Sequence, residues 1–191
     1  WLEVGERHWS DVLTKGSGMR RDQLPDLVEG NDVVGTLRSV VASELSLGND
    51  VSVVAGAADN AASACGIGAF AEGQGFVSLG TSGVLLAAKD SYAPEPASAV
   101  HTFCHAVPSK WYQMGVILSA TDSLNWLSKT LGRRTTELVD QMPDMAFGPA
   151  STLFLPYLSG ERTPHNDAAV RGAFIGLSKA VDTRTLCQSV I

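Results

Sequence analysis

The sequence predicts an α/β protein in two parts that join near residue 72. Three observations carry this. First, residues 51–55 are a short, nearly continuous apolar run, the pattern of a buried strand. It passes directly into a small-residue stretch that opens with Asp59 and Asn60, both helix-starting residue types. Second, Glu72-Gly73-Gln74-Gly75 breaks the pattern, and the junction is placed there, giving parts 1–72 and 73–191. Third, after the junction the order reads strand, hairpin, strands, helix, strand, strand, helix. Antiparallel strands first and helices later is how a ribonuclease H-like domain begins.

Taken in order, residues 1–16 read as a helix with Trp9, Val12 and Leu13 on one face. Pro25 and the acidic run at 29–32 make a loop. Residues 36–47 read as a second helix, with Leu37, Val40, Val41 and Leu45 as its stripe and Gly48 as its stop. Residues 51–55 read as a central strand covered on both faces. The helix after Asp59 carries Ala61, Ala62, Ala64, Gly66 and Gly68, so it can lie very close to another backbone or a ligand. Residues 76–79 and 84–88 are strands on either side of Gly80-Thr81-Ser82-Gly83, a hairpin. Residues 91–98, with Pro94 and Pro96, form a loop. A second hairpin joins 100–107 to 110–114 across Pro108-Ser109. Val116, Ala120, Leu124, Leu127 and Leu131 mark one face of a long helix, and a shorter helix follows at 136–142. Residues 153–158 and 172–177 are strands separated by the polar loop SGERTPHND. Asp182 is placed to cap a last helix.

Composition narrows the function. The chain is 191 residues, 45% hydrophobic and 18% charged, with a formal net charge of -6. An acidic chain without Lys/Arg runs is a poor partner for nucleic acid or an anionic membrane. Any phosphate it binds is held by backbone amides, a metal or a few placed side chains. No apolar run is long enough to cross a bilayer, and Trp1 opens a polar pattern rather than a leader. Cys65, Cys104 and Cys187 are far apart and show no metal spacing, so they read as small buried residues in a reducing cytoplasm. The chain has no initiator Met and stops in an apolar-periodic stretch, so we expect a piece of a longer protein.

Asp59 reads in two ways. It is a plain helix cap, or it is a carboxylate at the carboxyl end of a buried strand, where α/β sheets bind ligands. Gly56, Ala57 and Ala58 leave it uncovered, and it could accept the proton of an attacking hydroxyl. Gly80-Thr81-Ser82-Gly83 is either an ordinary hairpin turn or a turn whose amides and hydroxyls face a phosphate. It is not a Walker A loop, because the chain has no GxxxxGK[ST]. A dehydrogenase is excluded by the absence of GxGxxG between a strand and a helix. Glu161 and Arg162 either pair across a cleft or are solvated. His165 reads as structural. His101 and His105 share a strand face, but no carboxylate or cysteine completes a ligand set, so no protein metal site is expected. Trp111 and Trp126 read as core.

The stretches VVAGAADNAASACGIG, FVSLGTSGV, AVHTFCHAVPSKWYQMGV and FLPYLSGERTPHNDAAVRGAFIGLS resemble, in order and at matching spacing, the FGGY carbohydrate kinases. The HTFCHAVP and FLPYLSGERTPH stretches are similar to the xylulokinase branch of that family. The resemblance implies two ribonuclease H-like (actin/hexokinase-type ATPase) domains, with sugar and ATP meeting in the cleft. Residues 1–72 would end the first, sugar-binding domain and 73–191 would begin the second, ATP-binding domain. It implies Asp59 as general base, Asn60 beside the sugar, and Gly80, Thr81, Ser82 and Gly83 as the cradle of the ATP phosphates, with Mg²⁺ between. The implied substrate is D-xylulose, phosphorylated to D-xylulose 5-phosphate. Ribulose, gluconate or glycerol kinases, or a non-catalytic sugar-binding protein on the same fold, stay open, as does a homodimer. Two departures stand out. The glycine-rich run before the Asp reads Gly56-Ala57-Ala58, and Thr185 replaces an acidic or amide residue. The family's first phosphate loop, its sugar-contacting segment and its adenosine motif are absent, so the 191 residues alone are expected to be inactive.

Overall fold

In the computed structural model, which describes residues 1–142 and 150–191, the chain opens on a β-hairpin rather than the expected helix. Strands β1 (Leu2–Glu3) and β2 (His8–Trp9) pair antiparallel, Leu2 opposite Trp9, and only Asp11–Gly16 is helical (α1). Arg7 decides this. It lies at φ 55°, and its side chain leaves the segment to stack 4.3 Å over Trp111 and donate to the Lys110 carbonyl. Those are anchors about a hundred residues away, which helical periodicity does not register. Val12 and Leu13, the supposed buried face, are 79% and 52% exposed.

Two further expectations are corrected by non-local pairing. Strand β3 (Val33–Thr36) was not expected; it pairs antiparallel with β4 (Ser52–Val54) through a bulge between Val33 and Gly35. The helix placed at 36–47 is therefore shorter, α2 at Ser39–Glu44. Strand β4 occurs where expected, but it is not a covered central strand. Among the described residues its partner is β3 alone, in a two-stranded sheet, and Val53 and Val54 are 39% and 49% exposed.

Helix α3 (Asp59–Gly66) follows. Its Ala61 and Ala64 are buried in a cluster with Ala69, Leu86 and Tyr112. That explains the stretch of small residues: methyl groups let a tyrosine ring and a leucine lie directly on the helix. Beyond Gly73, at φ 78°, strands β5 (Gly75–Leu79), β6 (Gly83–Lys89), β7 (His101–Cys104) and β8 (Trp111–Ile117) form a four-stranded sheet in the order β5-β6-β8-β7. Strands β7 and β8 are antiparallel, Phe103 opposite Tyr112.

Helix α4 begins at Thr121 and runs to Leu131, so Val116, expected on its face, instead belongs to β8. The stripe of Leu124, Leu127 and Leu131 does face a core, made with Leu138 of α5 (Thr135–Val139) and Cys187 of α6 (Thr183–Val190). Strands β9 (Leu153–Leu155) and β10 (Ala173–Ile175) pair antiparallel, and Phe154, Phe174 and Trp126 stack upon one another. Asp182 caps α6 as its spacing indicates, accepting from the Thr185 amide at 2.8 Å.

The chain forms two compact units. One comprises Trp1–Phe76, Leu86–Pro94 and His101–Met114, and the other Val77–Leu85, Glu95–Val100 and Gly115–Ile191. Strands β5, β6 and β8 each contribute residues to both.

Candidate functional site

Asp59 and Asn60 fall in the first unit and the Gly80–Ser82 turn in the second.

Asp59 is the first residue of α3, not its cap; Ala58 holds the capping position in extended backbone and offers no side chain. The Asp59 carboxylate instead accepts from the next amide, Asn60 N, at 2.7 Å through Oδ1, and from Asn60 Nδ2 at 3.3 Å. Asp59 is exposed and Asn60 half-buried. Among the described residues Oδ2 accepts no hydrogen bond, so one oxygen orients the group while the other stands without a hydrogen-bond partner. The chain reaches Asp59 through Gly56, at φ 79°. Neither Ala57 nor Ala58 adopts positive φ, so the alanines that replace glycines there carry no backbone strain.

That approach is braced from below. Gly56 N donates to the Gly30 carbonyl at 2.9 Å and Ala55 N to the Asp32 carbonyl at 3.1 Å. The acidic loop is therefore a support for the Asp59 segment as well as a connection. Gly56, Ala57 and Ala58 line a cleft of ≈ 360 Å³ together with Arg7, Glu29, Asp32 and His105; Asp59 is not itself a lining residue.

Two side chains beside α3 carry shifted titrations, and sequence reading gave neither a role. Burial pushes the Tyr112 phenol up, and the negative charge of Asp59 pushes it further. The Tyr112 hydroxyl therefore stays a neutral donor within electrostatic reach of Asp59. His105 is 3% exposed. Its Nδ1 accepts from the Val107 amide at 3.0 Å, which leaves Nε2–H to donate to the Ala69 carbonyl at 3.2 Å. Burial pushes its pKa down, the Ala69 carbonyl opposes this, and the Lys110 charge adds to it. His105 is thus a neutral strut between the end of the α3 segment and the β7–β8 hairpin. Sequence could have flagged either only through its position opposite small residues.

In the second unit, Gly80, Thr81 and Ser82 form the exposed tip between β5 and β6. The start of α4 grips the turn by its carbonyls. Ala120 N donates to Thr81 O at 2.8 Å, Thr121 N to Gly80 O at 3.0 Å, and Thr121 Oγ1 to Gly80 O at 2.7 Å. Gly80 N closes the turn on Ser82 O at 3.0 Å. Among the described residues the Thr81 and Ser82 amides donate no backbone hydrogen bond. With the carbonyls turned inward and engaged, donors are left at the tip. Gly83 differs from its neighbours. It is buried, and a Cβ there would stand 2.7 Å from Ile117 Cγ1, so the glycine is needed for close packing against β8.

Sequence alone leaves Glu161 and Arg162 of the SGERTPHND loop either paired across a cleft or solvated, and the structure decides the case of Glu161. It is neither a solvated carboxylate nor one of the ion pairs found among the described residues. Glu161 is 3% exposed, and its Oε1 accepts from Leu118 N at 3.0 Å and Arg162 N at 2.7 Å. His165 meets the Tyr157 hydroxyl at 3.0 Å at the surface. No group of three or more His, Cys, Asp or Glu could hold a metal among the described residues.

Residues 1–66 match the model for the N-terminal domain of the FGGY family of carbohydrate kinases, and residues 75–191 the model for its C-terminal domain. The chain is 42% identical over 192 residues to a xylulose kinase of Escherichia coli and 43% identical over 194 residues to one of Klebsiella pneumoniae. Each match takes in the whole chain and 40% of the relative. A crystal structure of a "xyloylose kinase" from Brucella ovis superposes with a TM-score of 0.95 at 52% identity, over all of this chain and 39% of that one. A Plasmodium falciparum glycerol kinase, only 17% identical, still superposes at 0.83, which speaks for the fold alone. The chain thus spans about 40% of the length of the curated relatives it matches. With a family model covering well over half its residues and the fold of the actin-like sugar kinases throughout, the chain belongs to the FGGY family of carbohydrate kinases.

Proposed function

We propose that this chain supplies two parts of the catalytic machinery of an ATP-dependent pentulose kinase, converting D-xylulose to D-xylulose 5-phosphate. Residues 1–72 end a ribonuclease H-like sugar-binding domain and 73–191 begin the ATP-binding one. Asp59 acts as general base and Asn60 flanks the sugar. The turn formed by Gly80, Thr81, Ser82 and Gly83 holds the ATP phosphates, with the exposed amides at its tip as donors. The sugar's terminal hydroxyl oxygen bonds to the γ-phosphorus, the bond from that phosphorus to the β,γ-bridging oxygen breaks, ADP leaves, and the hydroxyl proton passes to Asp59 Oδ2. Such transfers depend on positioning and electrostatic stabilisation more than on a strong base. Mg²⁺ would neutralise phosphate oxygens; the described residues build no cluster for it, and no step is assigned to it.

The observation that carries the reading is the turn itself, with its carbonyls tied to α4 and its tip amides unspent. Xylulose as the sugar rests on the relatives. Those at 42–43% identity over the whole chain are xylulose kinases, whereas a Bacillus subtilis gluconokinase is 27% identical over 89% of it.

The test is Asp59→Asn in a chain of the relatives' full length, assayed for ADP release with D-xylulose, D-ribulose, gluconate and glycerol. The expected result is preference for D-xylulose and a kcat lower by about 10²–10⁴-fold in the variant, with sugar affinity within a few-fold of the parent. A variant that keeps most of its kcat would remove Asp59 from the reaction. Sugar binding with no ADP release from the parent would favour a non-catalytic sugar-binding protein.

A further inference from the structure

We propose that Glu161 is a positioning residue for the phosphate turn, acting through the segment 118–121; this rests on reading Gly80–Ser82 as that turn. The outer end of β8 is a strand edge that the polar loop completes. Val116 N donates to Thr163 Oγ1 at 3.1 Å, Thr163 N donates back to Val116 O at 3.2 Å, and Thr163 Oγ1 donates to Ala99 O at 3.2 Å. Glu161 Oε1 takes the next outward-facing amide, Leu118 N, and holds the Arg162 amide as well. Two residues later the chain delivers Ala120 N and Thr121 N to the carbonyls of Thr81 and Gly80.

The path from Glu161 to the turn is therefore continuous. A buried carboxylate fixes the last part of β8, that segment fixes the start of α4, and the start of α4 fixes which way the turn's peptides face. If Leu118 loses its acceptor, a part-buried amide is stranded, which costs free energy. The segment then relaxes, and the Gly80 and Thr81 peptides are no longer held with their carbonyls inward.

The carboxylate uses only one oxygen for this. Oε2 is enclosed and has no hydrogen-bond partner among the described residues. A buried carboxylate oxygen without a partner costs stability rather than adding to it, so what Glu161 contributes to the segment runs through Oε1. What the site requires is a two-fold acceptor at Oε1, which a glutamine carbonyl also provides. This separates a positioning role from a role of the charge.

The experiment compares E161A and E161Q. In the 191-residue chain, amide hydrogen exchange reads the backbone directly and does not depend on activity. We expect E161A to speed exchange at Leu118, Ala120 and Thr121 by at least tenfold and to move the Gly80–Ser82 amide resonances. Amides of α3 should be unchanged, and E161Q should restore the parent pattern. In a chain of the relatives' full length, E161A should raise the KM for ATP at least tenfold while the KM for sugar stays within twofold, and E161Q should recover most of the ATP affinity. Unchanged exchange at 118–121 in E161A would overturn the proposal, as would an E161Q variant as impaired as E161A. An inactive parent chain would count against the kinase reading alone, because the exchange result stands without it.

Discussion

His105 shows how one side chain ties titration to folding. Its Nδ1 must accept from the Val107 amide, so the protonated ring cannot keep that hydrogen bond. The folded pKa lies below the ordinary 6.5, mainly from burial. The unfolded chain therefore takes up the proton first as pH falls. The stability His105 contributes is complete above pH 6.5 and is lost as pH falls from there through the depressed folded value. Thermal unfolding followed from pH 8 to pH 5 should show Tm falling below pH 6.5, and His105→Gln should flatten that slope while lowering Tm at pH 8. An unchanged slope in the variant would place the titration elsewhere. Sequence supplied the residue and its even spacing from His101. It could not supply the Ala69 carbonyl, 36 positions away, that accepts from Nε2–H. Asp59 is the contrasting case: its position at the start of a helix is a local property, and the structure finds it there, one place inside the helix.

The elements divide along the same line. Helix α4 was legible in its last two turns because Leu124, Leu127 and Leu131 repeat at helical spacing and face the core with Leu138 and Cys187. Its start was misplaced because Val116 continues the apolar rhythm while belonging to β8. Its place in the β5-β6-β8-β7 sheet, together with the Thr163 and Glu161 acceptors, keeps that stretch extended. Leu127 is 2% exposed at the centre of this core. Leu127→Ala should destabilise the second unit by about 2–5 kcal/mol, seen as a lowered denaturant midpoint and faster exchange in α4, α5 and α6. A loss below about 1 kcal/mol would mean that the core collapses around the missing atoms. The hairpin at 2–9 and strand β3 were invisible for a complementary reason. Their strands are two to four residues long and are defined by partners: Arg7 on Trp111 for the hairpin, β4 for β3.

For the molecule as a whole, burial is uneven. Val33, Val34, Val53 and Val54 on the β3–β4 ribbon are 39–64% exposed, and Val77, Leu79 and Leu85 on β5 and β6 are 60–67% exposed. Exposed apolar side chains in such numbers are available to bind an apolar molecule. The 191-residue chain should therefore bind an apolar fluorescent dye, and Val33→Thr with Val54→Thr should reduce the signal by a readily measured fraction; no dye binding would show these faces to be closed in solution. No helix of the described residues is long and apolar enough to cross a membrane. By itself the sequence determined the family, the acid at the head of a small-residue helix, the turn between two strands and the cap of the last helix. The family is carried by the resemblance of its motifs; the other three are written in a few adjacent residues through backbone preference and spacing. Only the tertiary structure decided that residues 2–9 are a hairpin, that β4 is an exposed strand, and that Glu161 is buried beneath a strand end. Those outcomes turn on hydrogen bonds and ring contacts between residues tens of positions apart, and nothing in the local order of a chain specifies which distant amide a carboxylate will meet.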